Sequence, residues 1–301
     1  MSFPYEVKAE LAQNRLSKKI EYQAQGYGLL ICAKSFSPEK IRLQTENEYT
    51  LQVCLDFFSG LDIQPQITRN EKESELVRLA VENPSQCRKV LDYLGCDPLH
   101  PRRVNPALVS TPRLLSLFCN GAFLSCGSVT DPIKGYHMEF SLPSQDLVAP
   151  ITELLSFLVP FKHAVRKGAQ LLYLKESEQI EDMLTFMGAT KASVHMMEIK
   201  IYKELRNKAN RVTNCETANI DKTVNAATAQ VEQIQWLLEC RGWGGLPEEL
   251  WELAQLRLDH PEMSLRELGE ALSTPLSRSG VNHRLKRLTQ LAAEAGMPQK
   301  Q

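Results

Sequence analysis

Residues 112–127 read PRLLSLFCNGAFLSCG, and the fold turns on this stretch. It is apolar on almost every side, opens on Pro112 at a first helical position, carries the small pair Gly121-Ala122 and stops at Gly127. That pattern predicts a helix buried in a core rather than one lying on a surface. Downstream, 127–131 and 135–142 (GYHMEFSL) read as strands, 144–158 as a helix capped by Ser144, 163–166 and 170–175 as strands, and 177–187 as a helix stopped by Gly188.

Toward the N-terminus the same order recurs. Residues 22–33 (YQAQGYGLLICA) predict an apolar helix, and in 40–45 (KIRLQT) Ile41, Leu43 and Thr45 alternate with polar residues as on a half-buried strand. A helix over 49–61, strands over 64–69 and 75–81, and a helix over 84–94 ending at Gly95 complete it. The closing helices, CRKVLDYLG at 87–95 and QIEDMLTFMG at 179–188, lie at an offset of 93 residues. Each half is therefore αββαββα, over about 16–95 and 112–188. Such a duplication builds a pseudo-twofold domain with the opening helices on its axis, where Gly26, Gly28, Gly121 and Ala122 allow backbones to approach closely.

The last third separates its charges. Over 200–222 the net charge is +3, and 223–240 reads as one helix with Val224, Ala227, Val231, Ile234, Leu237 and Leu238 in helical register. After the break RGWGG at 241–245, three helices are predicted. The first starts at Pro247 with the stripe Leu250, Leu253, Ala254 and Leu258; the second, SLRELGEAL, is capped by Ser264 with Glu267 three residues on; the third runs from about Ser277 to Ala295. The turn STPLS at 273–277 joins the last two, which is the sequence logic of a helix-turn-helix. Residues 247–272 carry a net −5, whereas 277–290 carry a net +4 with no acid. At about 100° per residue, Val281, Leu285 and Leu288 form the buried stripe. Ser279, His283, Lys286, Arg287 and Gln290 point away from it, with Asn282 and Arg284 on the flanks. These are side chains that read base edges in a major groove, and Ser277 and Arg278 at the helix start suit phosphate contact. Lys208, Arg211, Asn214 and Lys222 are candidate further DNA contacts.

The segment GAFLSCGSV at 121–129, followed by Asp131-Pro132, resembles the degenerate LAGLIDADG motif of the bacterial WhiA regulators. The duplicated αββαββα pattern resembles monomeric LAGLIDADG homing endonucleases. In active enzymes the motif ends on an acid that holds a divalent cation. The alignment puts Cys126 at that place and Leu124 at the earlier one, with Ala33 and Ile31 in the first copy. Mg²⁺-type cleavage needs carboxylate oxygens from both helices, and neither helix offers one; Asp131 reads as a turn residue before Pro132. NRVTNCETANIDKTVNAA at 210–227 and SLRELGEAL…LSRSGVNHRLKRL at 264–288 are similar to the segment before the WhiA helix-turn-helix and to that motif itself. The resemblance implies a DNA-binding regulator tied to sporulation septation in filamentous actinobacteria, and to cell division and chromosome segregation elsewhere.

Composition agrees with a globular chain. It has 301 residues with 43% hydrophobic and 24% charged, and a net charge of −1, so any polyanion site must come from local segregation of charge. The longest apolar runs, 26–33 and 154–161, are far short of the roughly 18 residues that span a bilayer, and Glu6, Lys8 and Glu10 sit where a signal peptide needs an apolar core. None of the eight cysteines (Cys32, Cys54, Cys87, Cys96, Cys119, Cys126, Cys215, Cys240) forms a CxxC pair, which points to reduced thiols in a cytoplasm. The six histidines are scattered, and no GxxxxGK or GxGxxG occurs.

The reading is an α+β chain: residues 1–196 a duplicated LAGLIDADG-like domain, 197–245 a basic helical linker, and 246–301 an all-α helix-turn-helix domain. Its expected partners are double-stranded DNA and transcription or cell-division proteins, with no membrane. The expected location is the cytoplasm, on the nucleoid. No catalytic residue, metal or cofactor is assigned. A protein-docking adaptor with weak DNA contact and an active nuclease are the rivals. Co-purification of a partner with indiscriminate duplex binding favours the first, and plasmid nicking with Mg²⁺ or Mn²⁺ the second.

Overall fold

The computed structural model describes residues 2–69 and 76–297 and divides into two compact units between Glu204 and Leu205. The first unit opens on α1 (Phe3–Ala12), followed by α2 (Lys19–Ile31), β1 (Ser35–Phe36), β2 (Ile41–Thr45), α3 (Glu48–Ser59), β3 (Gln66–Arg69), β4 (Val77–Val81) and α4 (Pro84–Leu94). The second copy is α5 (Pro112–Cys126), β5 (Gly127–Val129), β6 (Met138–Leu142), α6 (Val148–Leu155), β7 (Lys162–Arg166), β8 (Ala169–Leu174) and α7 (Ser177–Met187). The two sheets have the same antiparallel order, β1-β2-β4-β3 and β5-β6-β8-β7. Leu43 pairs with Leu79 in one sheet, and Phe140 pairs with Leu172 in the other. The duplication therefore extends to strand order.

The axis of the repeat is α2 against α5. A Cβ at Gly28 would overlap the carbonyl oxygen of Phe118, and one at Gly121 would overlap that of Gln25. Only glycine lets these backbones meet, and the reciprocal pairs keep the same offset of 93 residues. Beside this contact, Gln25 Nε2 donates to Asn120 Oδ1 at 3.0 Å. Asn120 Nδ2 in turn donates to the carbonyls of Leu11 (3.0 Å) and Met187 (3.2 Å), tying the ends of α1 and α7 to the axis. Asn120 is fully buried, so these bonds satisfy an amide that would otherwise be costly in the core.

Some boundaries differ from expectation. The helix expected over 144–158 is a 3-10 turn, Gln145–Leu147, with Ser144 as its cap, followed by α6. Pro150 fits only a first helical turn, so the α-helix starts at Val148, and Pro160 disfavours its continuation. Glu75, the first residue of the strand expected over 75–81, lies outside the described residues. Gly95 and Gly188 stop α4 and α7 in the left-handed conformation, with φ of 62° and 94°.

One helix, α8 (Thr190–Arg241), takes in both the helix expected over 223–240 and the basic segment before it, and the unit boundary falls within it. No Gly or Pro occurs between 189 and 241 to interrupt it. Its start belongs to the first unit, where Glu10 accepts the backbone N–H groups of Lys191 (2.7 Å) and Ala192 (2.9 Å). The second unit holds the rest of α8 with α9 (Glu248–Asp259), α10 (Leu265–Ala271) and α11 (Arg278–Glu294). Ile234 and Leu237 of α8 pack with Leu250, Leu253, Leu268, Val281, Leu285 and Leu288 in its core.

Candidate nucleic-acid interface

The interface is built from the tight turn that sets α11 against α10. Ser264 and Glu267 form a reciprocal capping box: Glu267 N donates to Ser264 Oγ at 3.3 Å, and Ser264 N donates to Glu267 Oε2 at 2.7 Å. These contacts, led by the Ser264 N–H, hold the Glu267 carboxyl below its ordinary range. At the other end of α10, Gly269 O accepts from Leu276 N at 3.0 Å, and a Cβ on Gly269 would overlap the Leu276 carbonyl. Glu252 of α9 accepts both the backbone N–H (2.6 Å) and the hydroxyl (2.5 Å) of Ser273. These two donors depress its carboxyl pKa. The turn is thus bonded from α9 and α10, and the direction of α11 is fixed.

Ser277 caps α11 by accepting from Gly280 N at 3.2 Å. The predicted faces are realised. Val281, Leu285 and Leu288 are at most 2% exposed. Ser277, Arg278, Ser279, Asn282, His283, Lys286, Arg287 and Gln290 are all exposed. The structure therefore gathers eight of the predicted residues on one helix. Arg287 Nη1 donates to Gln290 Oε1 at 3.3 Å, which orders that pair along the outer face. Arg284 behaves differently. It is half-buried, and its Nη1 donates back to the Glu249 carbonyl at 3.0 Å, so its guanidinium braces α11 on α9. Thr289 Oγ1 donates to Gln233 Oε1 at 2.7 Å and fixes α11 to α8.

Of the residues predicted on the linker, Lys208, Arg211, Asn214 and Lys222 are all exposed on α8. Only Lys222 lines a cleft with residues of α11, namely Arg278 and Asn282. A residue that sequence reasoning passed over is Arg257 of α9. It is 2% exposed, and its Nη1 donates to the carbonyls of Pro261 (3.2 Å) and Met263 (2.7 Å), which shapes the turn before α10. Burial lowers its pKa. The signal was available, because 257 continues the stripe 250, 253, 254 at helical spacing.

At the axis of the first unit, α5 ends on Cys126, and α2 is followed by Cys32 and Ala33. No carboxylate stands at the motif ends. Cys32 is buried against Cys126, and the hydrogen bond its thiol donates to that neighbour, together with burial, pushes it well above the ordinary range. A hard divalent cation finds no oxygen donor in these two side chains.

Residues 115–206 match the WhiA LAGLIDADG-like domain, and residues 209–292 match the WhiA C-terminal HTH domain. The chain is 36% identical over 310 residues to the "Probable cell division protein WhiA" of Clostridium perfringens, covering 98% of each. It is 35% identical over 309 residues to the protein of that name in Lachnoclostridium phytofermentans, covering 97% of this chain and 98% of the relative. Among solved structures, full-length WhiA from Thermotoga maritima matches over 98% of this chain and 99% of that one, with a TM-score of 0.61 at 23% identity.

Proposed function

The chain belongs to the WhiA family, and from that premise we propose that it is a DNA-binding regulator of cell division and chromosome segregation, without catalytic activity. The single observation that carries this reading is the outer face of α11. Ser279, His283, Lys286, Arg287 and Gln290 lie exposed opposite a stripe that is at most 2% exposed, on a helix whose segment 277–290 contains no acid. A rigidly positioned helix of this kind enters a major groove, with Asn282, His283 and Gln290 as base-edge donors and acceptors and the cations on phosphates. Arg284, engaged with Glu249, positions the helix instead of touching DNA.

The reading without cleavage rests on chemistry. Phosphodiester hydrolysis on this scaffold needs carboxylates at the ends of the axial helices, and Cys126 and Ala33 stand there. The duplicated unit then serves as a second DNA surface or a docking module for transcription or cell-division proteins. The place of action is the nucleoid.

Chromosome-wide mapping of the protein in growing cells tests this reading. Discrete sites near genes for division and segregation are the expected result, and uniform occupancy or none contradicts it. Incubating supercoiled plasmid with the full chain and Mg²⁺ or Mn²⁺ is expected to leave it intact.

A further inference from the structure

In the second unit, a cleft of about 490 Å³ opens between α8, the start of α10 and the first turns of α11. This volume falls in the range of small-molecule sites, roughly 300–1,000 Å³. Its exposed lining carries Lys222 from α8, Arg266 from α10 and Arg278 from α11, and among the described residues no Asp or Glu lines it. Arg266 donates through Nε to Glu270 at 2.8 Å, a pairing that fixes the guanidinium on the surface of α10.

The inner wall adds independent observations. Arg257, 2% exposed, lines the cleft, and its Nε is buried with no hydrogen-bond partner. Gln230 also lines it, with a buried Oε1 that is likewise unpartnered. Nearly all buried polar atoms in native structures are paired, so two orphans in one lining leave hydrogen-bonding capacity there that a ligand can meet. The floor is apolar at Ala227, 8% exposed. A lone backbone phosphate of a duplex would use the exposed cations and leave the floor and the Gln230 acceptor unmet.

We propose that this cleft binds a small phosphorylated molecule. Its phosphate is held by Lys222, Arg266 and Arg278 with Arg257 behind them, and a hydroxyl or amino group of its body donates to Gln230 Oε1. Arginine and lysine together suit phosphate, because the guanidinium fork adds directed bonds to the point charge of the ammonium. Because Arg278 and Asn282 line the cleft and are also candidate DNA contacts at the start and on the flank of α11, an occupied cleft competes with DNA. That competition rests on the reading of α11 given above, whereas the binding itself does not.

The test uses the full chain and inorganic pyrophosphate as the probe, followed by calorimetry at fixed ionic strength. One-to-one binding is expected, weakened about tenfold or more in the Lys222→Gln, Arg266→Gln double variant, where charged hydrogen bonds are lost. Both side chains are exposed, so the variant keeps its fold, which circular dichroism verifies. In the second arm, pyrophosphate raises the apparent Kd for duplex DNA more in the wild-type chain than in the double variant. No pyrophosphate binding, or binding that the double variant leaves unchanged, overturns the proposal. So does a variant whose only change is a salt dependence of duplex binding reduced by about two units of log–log slope, since the cations then serve DNA phosphates. A wild-type chain that binds pyrophosphate but no duplex overturns the reading of α11 and leaves the cleft standing.

Discussion

Three positions show how single residues set this structure. Glu21 Oε2 accepts from the backbone N–H of Ser17 at 2.8 Å, while Oε1 accepts from Arg113 Nε at 3.3 Å. The Ser17 N–H, with help from Arg113, holds the carboxyl below its ordinary range. A depressed carboxylate stabilises the fold above its unfolded pKa, near about 4.3, and that contribution is lost as pH falls through the folded value. The melting-temperature gap between wild type and Glu21→Gln should therefore narrow as pH drops from 7 toward 3; a constant gap counts against it. At Gly121, the overlap of an added Cβ with Gln25 O predicts that Gly121→Ala costs about 2–3 kcal/mol or more, read by urea unfolding. Arg257→Ala removes two carbonyl bonds and empties a buried site, and is expected to cost about 2–4 kcal/mol. Gly121 was legible because a glycine in an apolar helix asks for a close neighbour. For Arg257 the helical spacing marked an inward place, but the carbonyl partners that hold its charge there could not be read from the sequence.

Among the elements, α8 departs furthest from what its residues announced. Segment 210–223 (NRVTNCETANIDKT) has no apolar stripe and several residues of modest helix propensity, so no period marked it. In the structure α8 runs through it, and residues 205–226 are exposed throughout, including Leu205, Val212, Ile220 and Val224. A helix without a packed face is marginal, since tertiary burial supplies most helical stability. Amide exchange over 205–226 should be faster by orders of magnitude than over 229–238, where Ile234 and Leu237 enter a core, and faster than in α2 or α5. Equal protection along α8 would refute this. Helix α1 escaped notice for a different reason. Phe3, Val7 and Leu11 are its buried contacts, a signal of three residues in a segment whose charges drew attention only against secretion. By contrast α2, α5, α10 and α11 were readable, because their caps, glycines and stripes all gave the same answer.

At the scale of the whole molecule, the two units have separate cores, one around α2 and α5 and the other around Ile234, Leu253, Leu268 and Leu285. Calorimetry is expected to resolve two unfolding transitions, with Gly121→Ala lowering one and Arg257→Ala the other. A single transition shifted by both substitutions would contradict this. The chain is near neutral as a whole, and the charge sorting between 247–272 and 277–290 was plain in the sequence. The bracing of Arg284 by Glu249 was not, since it depends on the distance between α9 and α11. The central claim is that the outer face of α11 grips duplex DNA. The most direct test is the affinity of the full chain for a chromosomal duplex as a function of salt, for wild type and for Lys286→Ala, Arg287→Ala. The account predicts that the double variant stays folded, loses most of its affinity, and shows a log–log slope smaller by about two units. An unchanged slope and affinity would contradict it.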